Sequence, residues 1–356
     1  MIFTRYLAIN MIKGTALVLL VLVSLNLFFT LIQQIDNLGR GQFGPWLFTQ
    51  YLLLRIPTML VEFMPLATLV GSILSLGSLA SNSEIIAFQS AGLSFRKLIV
   101  AVIQIATLLA IFAYLVSDFV VPYSETTARE IKASAISSRI NMQSRNGVWI
   151  KDASNVLFIR QLYPDGNAQN IEIYHLDQQG RLIATTVAQK ALSTRQGWLL
   201  QNVKKSLIST EKITVTSVKE ELYSGNLSDQ LLQSLVVNPR QMSSANLYGY
   251  IRFLNENKLN HAPESLSFWQ KIYSPLTVIV MALLAIPYVL GSQRNSNTGQ
   301  RIMTGILLGL VYVILNRLLI QLGEQLQLAA FINALIPTLI FMIFTGWMIR
   351  RKIEQL

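Results

Sequence analysis

Gly14–Ile35, GTALVLLVLVSLNLFFTLIQQI, runs without one charged side chain. At about 1.5 Å of rise per helical residue, such a run crosses a hydrocarbon core of about 30 Å. Four further charge-free runs follow, at Phe63–Ser83, Leu98–Ser117, Ile272–Gln293 and Gln325–Ile349. A sixth, Ile302–Asn316, continues past Arg317 through Leu318–Leu322. Six membrane-spanning helices are expected. The composition agrees: of 356 residues 52% are hydrophobic and 13% charged, outside the range of a soluble domain. The first run is too long for a signal-peptide core and no small-residue cleavage site follows it, so it is expected to remain as an anchor.

Lysine and arginine placement sets the expected orientation. Arg5 and Lys13, Arg96 and Lys97, Arg294 and Arg301, and the terminal Arg350, Arg351 and Lys352 fall on one side. The other side's short loops hold little beyond Arg40, with Arg55 near a span end. The positive-inside rule then puts both termini in the cytoplasm and a long segment, Val121 to Lys271, outside it. The net charge of +11 is partly this topology signal. No clustered basic and aromatic groove points to nucleic acid. Cysteine is absent and the two histidines, His175 and His261, lie far apart, which leaves no thiol chemistry and no metal-ligand spacing.

The plan is three spans, an inserted domain, then three spans: 1–121, 122–270 and 271–356. The insert alternates apolar and polar residues at 148–151, 156–162, 171–176, 182–188, 198–203 and 213–218, the period of half-buried strands. Turn residues separate them, Tyr163-Pro164-Asp165-Gly166-Asn167 among others. A sandwich or jelly roll is expected, flanked by a helical stalk at 124–141 and by a helix capped by Ser243 or Ser244. The insert contains no GxSxG, HExxH or spaced acid pair, so it reads as a binding module rather than an enzyme. Its apolar strand faces at Val156–Leu162 and Ile171–Leu176 fit a filled core and an acyl-binding groove equally.

Between spans two and three lies SNSEIIAFQSAGLS, Ser81 to Ser94. Ser81-Asn82-Ser83-Glu84 fits a capping box, with Gly92 placed to end the helix that follows. A tight loop would suffice to join two antiparallel spans, yet this connection is longer and presents Glu84, Phe88 and Gln89. Glu84 as a cap and Glu84 as a docking contact stand as equal readings. The chain contains no GxxxxGK[ST], and GSQRNSNTGQR (291–301) lacks a phosphate-binding lysine, so no ATP site is expected here.

SEIIAFQSAGLS resembles the coupling-helix segment of the LptF/LptG permeases, transmembrane subunits of the lipopolysaccharide-exporting ABC transporter. NGVWIKDASNVLFI (146–159), SFWQKIYSPLTVIVMALLAIPYVLG (267–291) and GQRIMTGILLGLVY (299–312) are similar to the LptG branch of that family. The resemblance covers essentially the whole chain. It implies an all-α bundle of six spans (3 + 3) with a periplasmic β-jelly-roll domain, in the inner membrane of a Gram-negative bacterium. It implies partners: an LptF-type permease, an LptB-type ATPase dimer that uses ATP and Mg, LptC and lipopolysaccharide. No cofactor is expected on this chain and no catalytic residue. It implies that Glu84, Ile85, Ile86, Phe88, Gln89, Gly92 and Leu93 couple to the ATPase. Arg40 stands where the family tends to place basic residues for substrate phosphates, although Gln33 occupies a spot that can be lysine; Arg55 and Arg317 are further candidates. Arg317 reads as readily as a snorkelling cation or a partner of Glu324. The competing reading is a non-transporting membrane anchor for a periplasmic scaffold, and an intramembrane lipid enzyme would need catalytic groups at one depth, where only isolated Glu62, Asp118 and Arg317 are seen.

Overall fold

The computed structural model describes residues 2–90, 94–136, 148–152, 155–162, 167–177, 179, 181–194, 197–208, 213–223, 239–256, 259–289 and 298–354. Its helices are α1 (Ile2–Gln34), α2 (Pro45–Leu54), α3 (Ile56–Ser81), α4 (Glu84–Ser90), α5 (Phe95–Leu115), α6 (Val121–Ile136), α7 (Ser244–Glu256), α8 (Ala262–Val289), α9 (Thr298–Gln325) and α10 (Ala330–Ile353). Six helical stretches are long and apolar enough to cross a membrane, so the protein is a transmembrane bundle with an inserted β domain. The chain divides into two compact units.

The first unit comprises residues 1–36, 52–125 and 262–356. Its core joins Leu69, Ile73 and Leu76 of α3 to Val102 and Ala106 of α5 and to Val278, Ala282 and Ile286 of α8. The alanines among them, Ala106 and Ala282, let the backbones approach, which is how helices associate where lipid removes the hydrophobic drive. The closest backbone approach at the described glycines is between α1 and α3: a Cβ on Gly71 would fall 2.5 Å from the Thr15 nitrogen, and one on Gly14 would fall 2.8 Å from the Gly71 oxygen. Ser75 adds a hydrogen bond from its hydroxyl to the Asn10 carbonyl at 2.8 Å. Packing is uneven. In the span formed by α2 and α3, Pro45–Ser81, 61% of the apolar window is buried, against 22% in that of α1 and 11% in that of α9.

Between α5 and α6 the helix widens into a π segment, Val116–Val120. Such a bulge releases carbonyls from the i→i−4 ladder. One of them, on Ser117, accepts the Lys271 ammonium of α8 at 3.0 Å, and Asp118 lies 3.1 Å from the same nitrogen. Asp118, which the sequence shows only as an isolated carboxylate, is thus paired with a buried lysine.

The second unit comprises residues 37–51 and 126–261. Six strands, β1 (Val148–Asp152), β2 (Asn155–Leu162), β3 (Ala168–Leu176), β4 (Leu182–Thr194), β5 (Gly197–Ile208) and β6 (Ile213–Tyr223), form one antiparallel sheet in sequential order. All six expected strands are present, several extended by the registers of their neighbours. Among the described residues the expected jelly roll is thus an antiparallel β domain with meander connectivity. The sheet curls: Asn155 of β2 donates to the Tyr223 hydroxyl of β6 at 3.3 Å, although these strands are not neighbours. The β3–β4 register shifts between His175 and Leu176, the local device by which bulges add twist, whereas the registers run unchanged past the left-handed Asn170 and Asn202. Inside lie Leu157, Ile159, Ile171, Ile173 and Leu200, each no more than 1% exposed, so those strand faces are filled core. The Ser243 hydroxyl accepts from the Asn246 N–H at 3.2 Å, the expected cap of α7, whose Leu247 and Leu254 are buried.

Candidate functional site

α4 is set against the bundle by a link of two residues, Asn82 and Ser83. The Asn82 N–H donates to the Ser78 carbonyl at 3.0 Å and that of Ser83 to Ala80 at 3.1 Å, with Ser83 in a left-handed conformation (φ 61°). The expected capping box does not form. α3 runs on through Ser81, whose backbone is therefore helical rather than extended, and its hydroxyl turns back to the Ser78 carbonyl at 2.9 Å. Glu84 instead opens α4, a favourable place for a carboxylate, and accepts from the Asn82 amide at 3.4 Å. Ser94, extended, accepts from the Lys97 N–H at 3.4 Å and starts α5.

Ile85 is buried in the bundle core, while Ala87 and Ser90 are exposed and Glu84 and Phe88 are half-buried. The side chains of Ile86 and Gln89, and all of Gly92 and Leu93, lie outside the described residues. Phe88 meets Phe3 of α1 edge to face, centroids 4.6 Å apart. The Tyr6 hydroxyl, one turn further along α1, is directed to the Glu84 carboxylate. A cavity of about 340 Å³ opens there, lined by Tyr6, Asn10 and Lys13 of α1, Ser75 and Ser78 of α3, and Glu84.

Arg301, read in the sequence only as a topology cation, is 4% exposed and lies across Gly77 of α3, where a Cβ would fall 2.7 Å from its Cδ. Its Nη1 donates to the Ser81 hydroxyl at 3.4 Å. No local pattern could have found it, because its burial depends on a glycine in another helix. Three features therefore converge where α3 meets α4: Phe3 and Tyr6 from α1, and Arg301 from α9.

The three expected phosphate contacts differ in setting. Arg40 is exposed on a turn shaped by left-handed Gly39 and Gly41 and anchored by Phe43, which is fully buried against Phe48 and Tyr51. Arg55 lies 3.7 Å from Glu125, a carboxylate only 3% exposed that also accepts from the Thr58 hydroxyl at 2.8 Å. Glu125 was missed by the sequence reading. Arg317 is exposed on α9, and among the described residues it has no ion-pair partner, Glu324 included. Among the described residues no three His, Asp or Glu side chains group as metal ligands.

A family model described as lipopolysaccharide export system permease LptF/LptG matches residues 5–351. The chain is 33% identical over 350 residues to the lipopolysaccharide export system permease protein LptG of Haemophilus influenzae, covering 98% of both chains. It is 27% identical over 354 residues to LptG of Escherichia coli (strain K12), covering 99% of this chain and 98% of that one. To LptF of the same strain it is 26% identical over 184 residues, about half of each chain.

Proposed function

Since the chain belongs to the LptF/LptG family of lipopolysaccharide export permeases, we propose that it works as the LptG-type subunit of an ABC transporter in the Gram-negative inner membrane. It pairs with an LptF-type permease, binds an LptB-type ATPase dimer and LptC, and moves lipopolysaccharide from the outer leaflet to a periplasmic bridge. The observation that carries the coupling role is α4, a short helix with a carboxylate at its first residue and an apolar residue, Ile85, fixed in the bundle. Exposed Ala87 and Ser90, with Glu84 at the edge, leave an open side for the ATPase; Ile86, Phe88, Gln89, Gly92 and Leu93 complete the proposed docking segment.

The lysine and arginine distribution supports cytoplasmic termini and a periplasmic β domain. The absence of a phosphate-binding loop in the sequence supports ATP hydrolysis, with its Mg, in the partner. Physical chemistry favours lateral uptake of the lipid: at about 0.8 kcal/mol per CH₂, exposing several acyl chains to water would be prohibitive. Arg40 and Arg317, both exposed, are the proposed phosphate contacts, whereas Arg55 is already engaged by Glu125.

Affinity purification from membranes co-expressing the partners tests this, comparing wild type with Glu84→Lys. The permease reading requires an LptF-type chain and an LptB-type ATPase to co-purify with wild type, and the ATPase to be lost or uncoupled in the variant. If the variant changes neither binding nor turnover, Glu84 is only a helix-terminal carboxylate, and the anchor reading takes its place.

A further inference from the structure

α1 is held at two levels near its start, and beyond them only one face, with Val18, Leu19, Val23 and Thr30, is buried. Near its start, Phe3 packs on Phe88 and Tyr6 faces Glu84, one side chain on each turn, so α1 and α4 are pinned at two points. At Asn10–Thr15 it is clamped to α3: Ser75 bonds to the Asn10 carbonyl, and Gly14 and Gly71 bring the two backbones together. Further along, Leu17, Leu20, Val21, Leu25, Phe28 and Ile32 are all at least half exposed. No proline interrupts the helix from Ile2 to Gln34.

We propose that α1 is a lever, with Phe3 and Tyr6 as the positioning residues that tie it to α4 and the Gly14–Gly71 contact as its fulcrum. The proposal rests on the permease reading and says how that reading's motion reaches the membrane. From the fulcrum to Phe3 is about 16 Å and to Gln34 about 30 Å of helix, so a shift of α4 appears roughly doubled at the far end. α3, buried along most of its length, gives the fulcrum a fixed seat. The movement goes to the span with fewer contacts to break.

The test uses the assembled complex in lipid vesicles, comparing wild type with Phe3→Ala/Tyr6→Phe. The lever predicts that the ATPase stays bound and hydrolyses ATP while lipid extraction drops by about tenfold, the size of one ordinary coupling free energy. Because this chain has no cysteine, Phe3→Cys/Phe88→Cys gives a unique cross-link within it. The two substitutions remove the ring contact, so extraction should be low before cross-linking and recover once the new bond ties the two positions together. The lever is overturned if the double variant extracts normally, if ATPase binding falls along with extraction, or if the cross-link, with the ATPase still bound, leaves extraction low. A wild-type complex that holds no ATPase overturns the permease reading itself, and the lever with it.

Discussion

Lys271 sits 6% exposed in its side chain, between the Ser117 carbonyl and the Asp118 carboxylate, and neither charge would be tolerated there alone. Lys271→Ala is expected to lower stability by about 3 kcal/mol, because it strands a mostly buried carboxylate. Lys271→Met/Asp118→Leu should recover most of that loss, and thermal melting in detergent distinguishes the two. A double variant as unstable as the single one would place the cost elsewhere. In the β domain, burial first and the nearby Lys205 second lower the His175 pKa, against a smaller opposing effect of Glu221. Its Nδ1 meets the Asn155 amide oxygen at 2.8 Å and its Nε2 the Thr186 hydroxyl at 3.0 Å, a pattern satisfied by the neutral ring. With the folded pKa below the unfolded value near 6.5, the unfolded chain takes up the proton first. This stability is therefore present above about pH 6.5 and lost as pH falls through the folded pKa. His175→Gln should flatten the acid side of the domain's stability profile, read by the near-ultraviolet signal of Trp198, a buried core residue of the same unit. Of these groups the sequence flagged Asp118 but gave it no partner, and its histidines were set aside; both partnerships depend on residues far away in the chain.

At the scale of elements, periodicity was the more reliable signal. Six alternating runs became six strands because alternation is a property of the strand itself, whereas the Ser81–Glu84 box failed, although the Ser243 cap formed, because the preceding helix continued into its first residue. The Gly14–Gly71 approach was invisible, since nothing in either segment says which helix the glycine faces. It makes a sharp expectation. Gly71→Val would drive a side chain into the Thr15 backbone, which cannot yield as a flexible side chain can. The α1–α3 contact should open, at a cost of about 1–3 kcal/mol, and protease resistance of α1 should fall. Gly299→Ala, where an added Cβ meets nothing within 4 Å, is the control and should behave as wild type.

For the molecule as a whole, span count, inserted domain and partner class could be read from apolar runs, charge placement and resemblance, but the uneven packing could not. Sequence hydropathy rates α1 and α9 as spans like any other, yet they bury the smallest shares of their apolar windows. Leu307, Leu310, Val311, Ile314 and Leu318 of α9 are exposed, and in the proposed heterodimer such faces meet lipid, substrate or the partner permease. Only the last of these depends on which proteins are co-expressed. A partner that binds the folded chain alone stabilises it by mass action, about 2.7 kcal/mol at a hundredfold excess over Kd. Thermal melting in identical detergent should therefore rise when an LptF-type chain is co-purified, and rise further with concentration. Equal melting with and without that partner, at matched lipid content, would mean that α1 and α9 face lipid rather than a second permease.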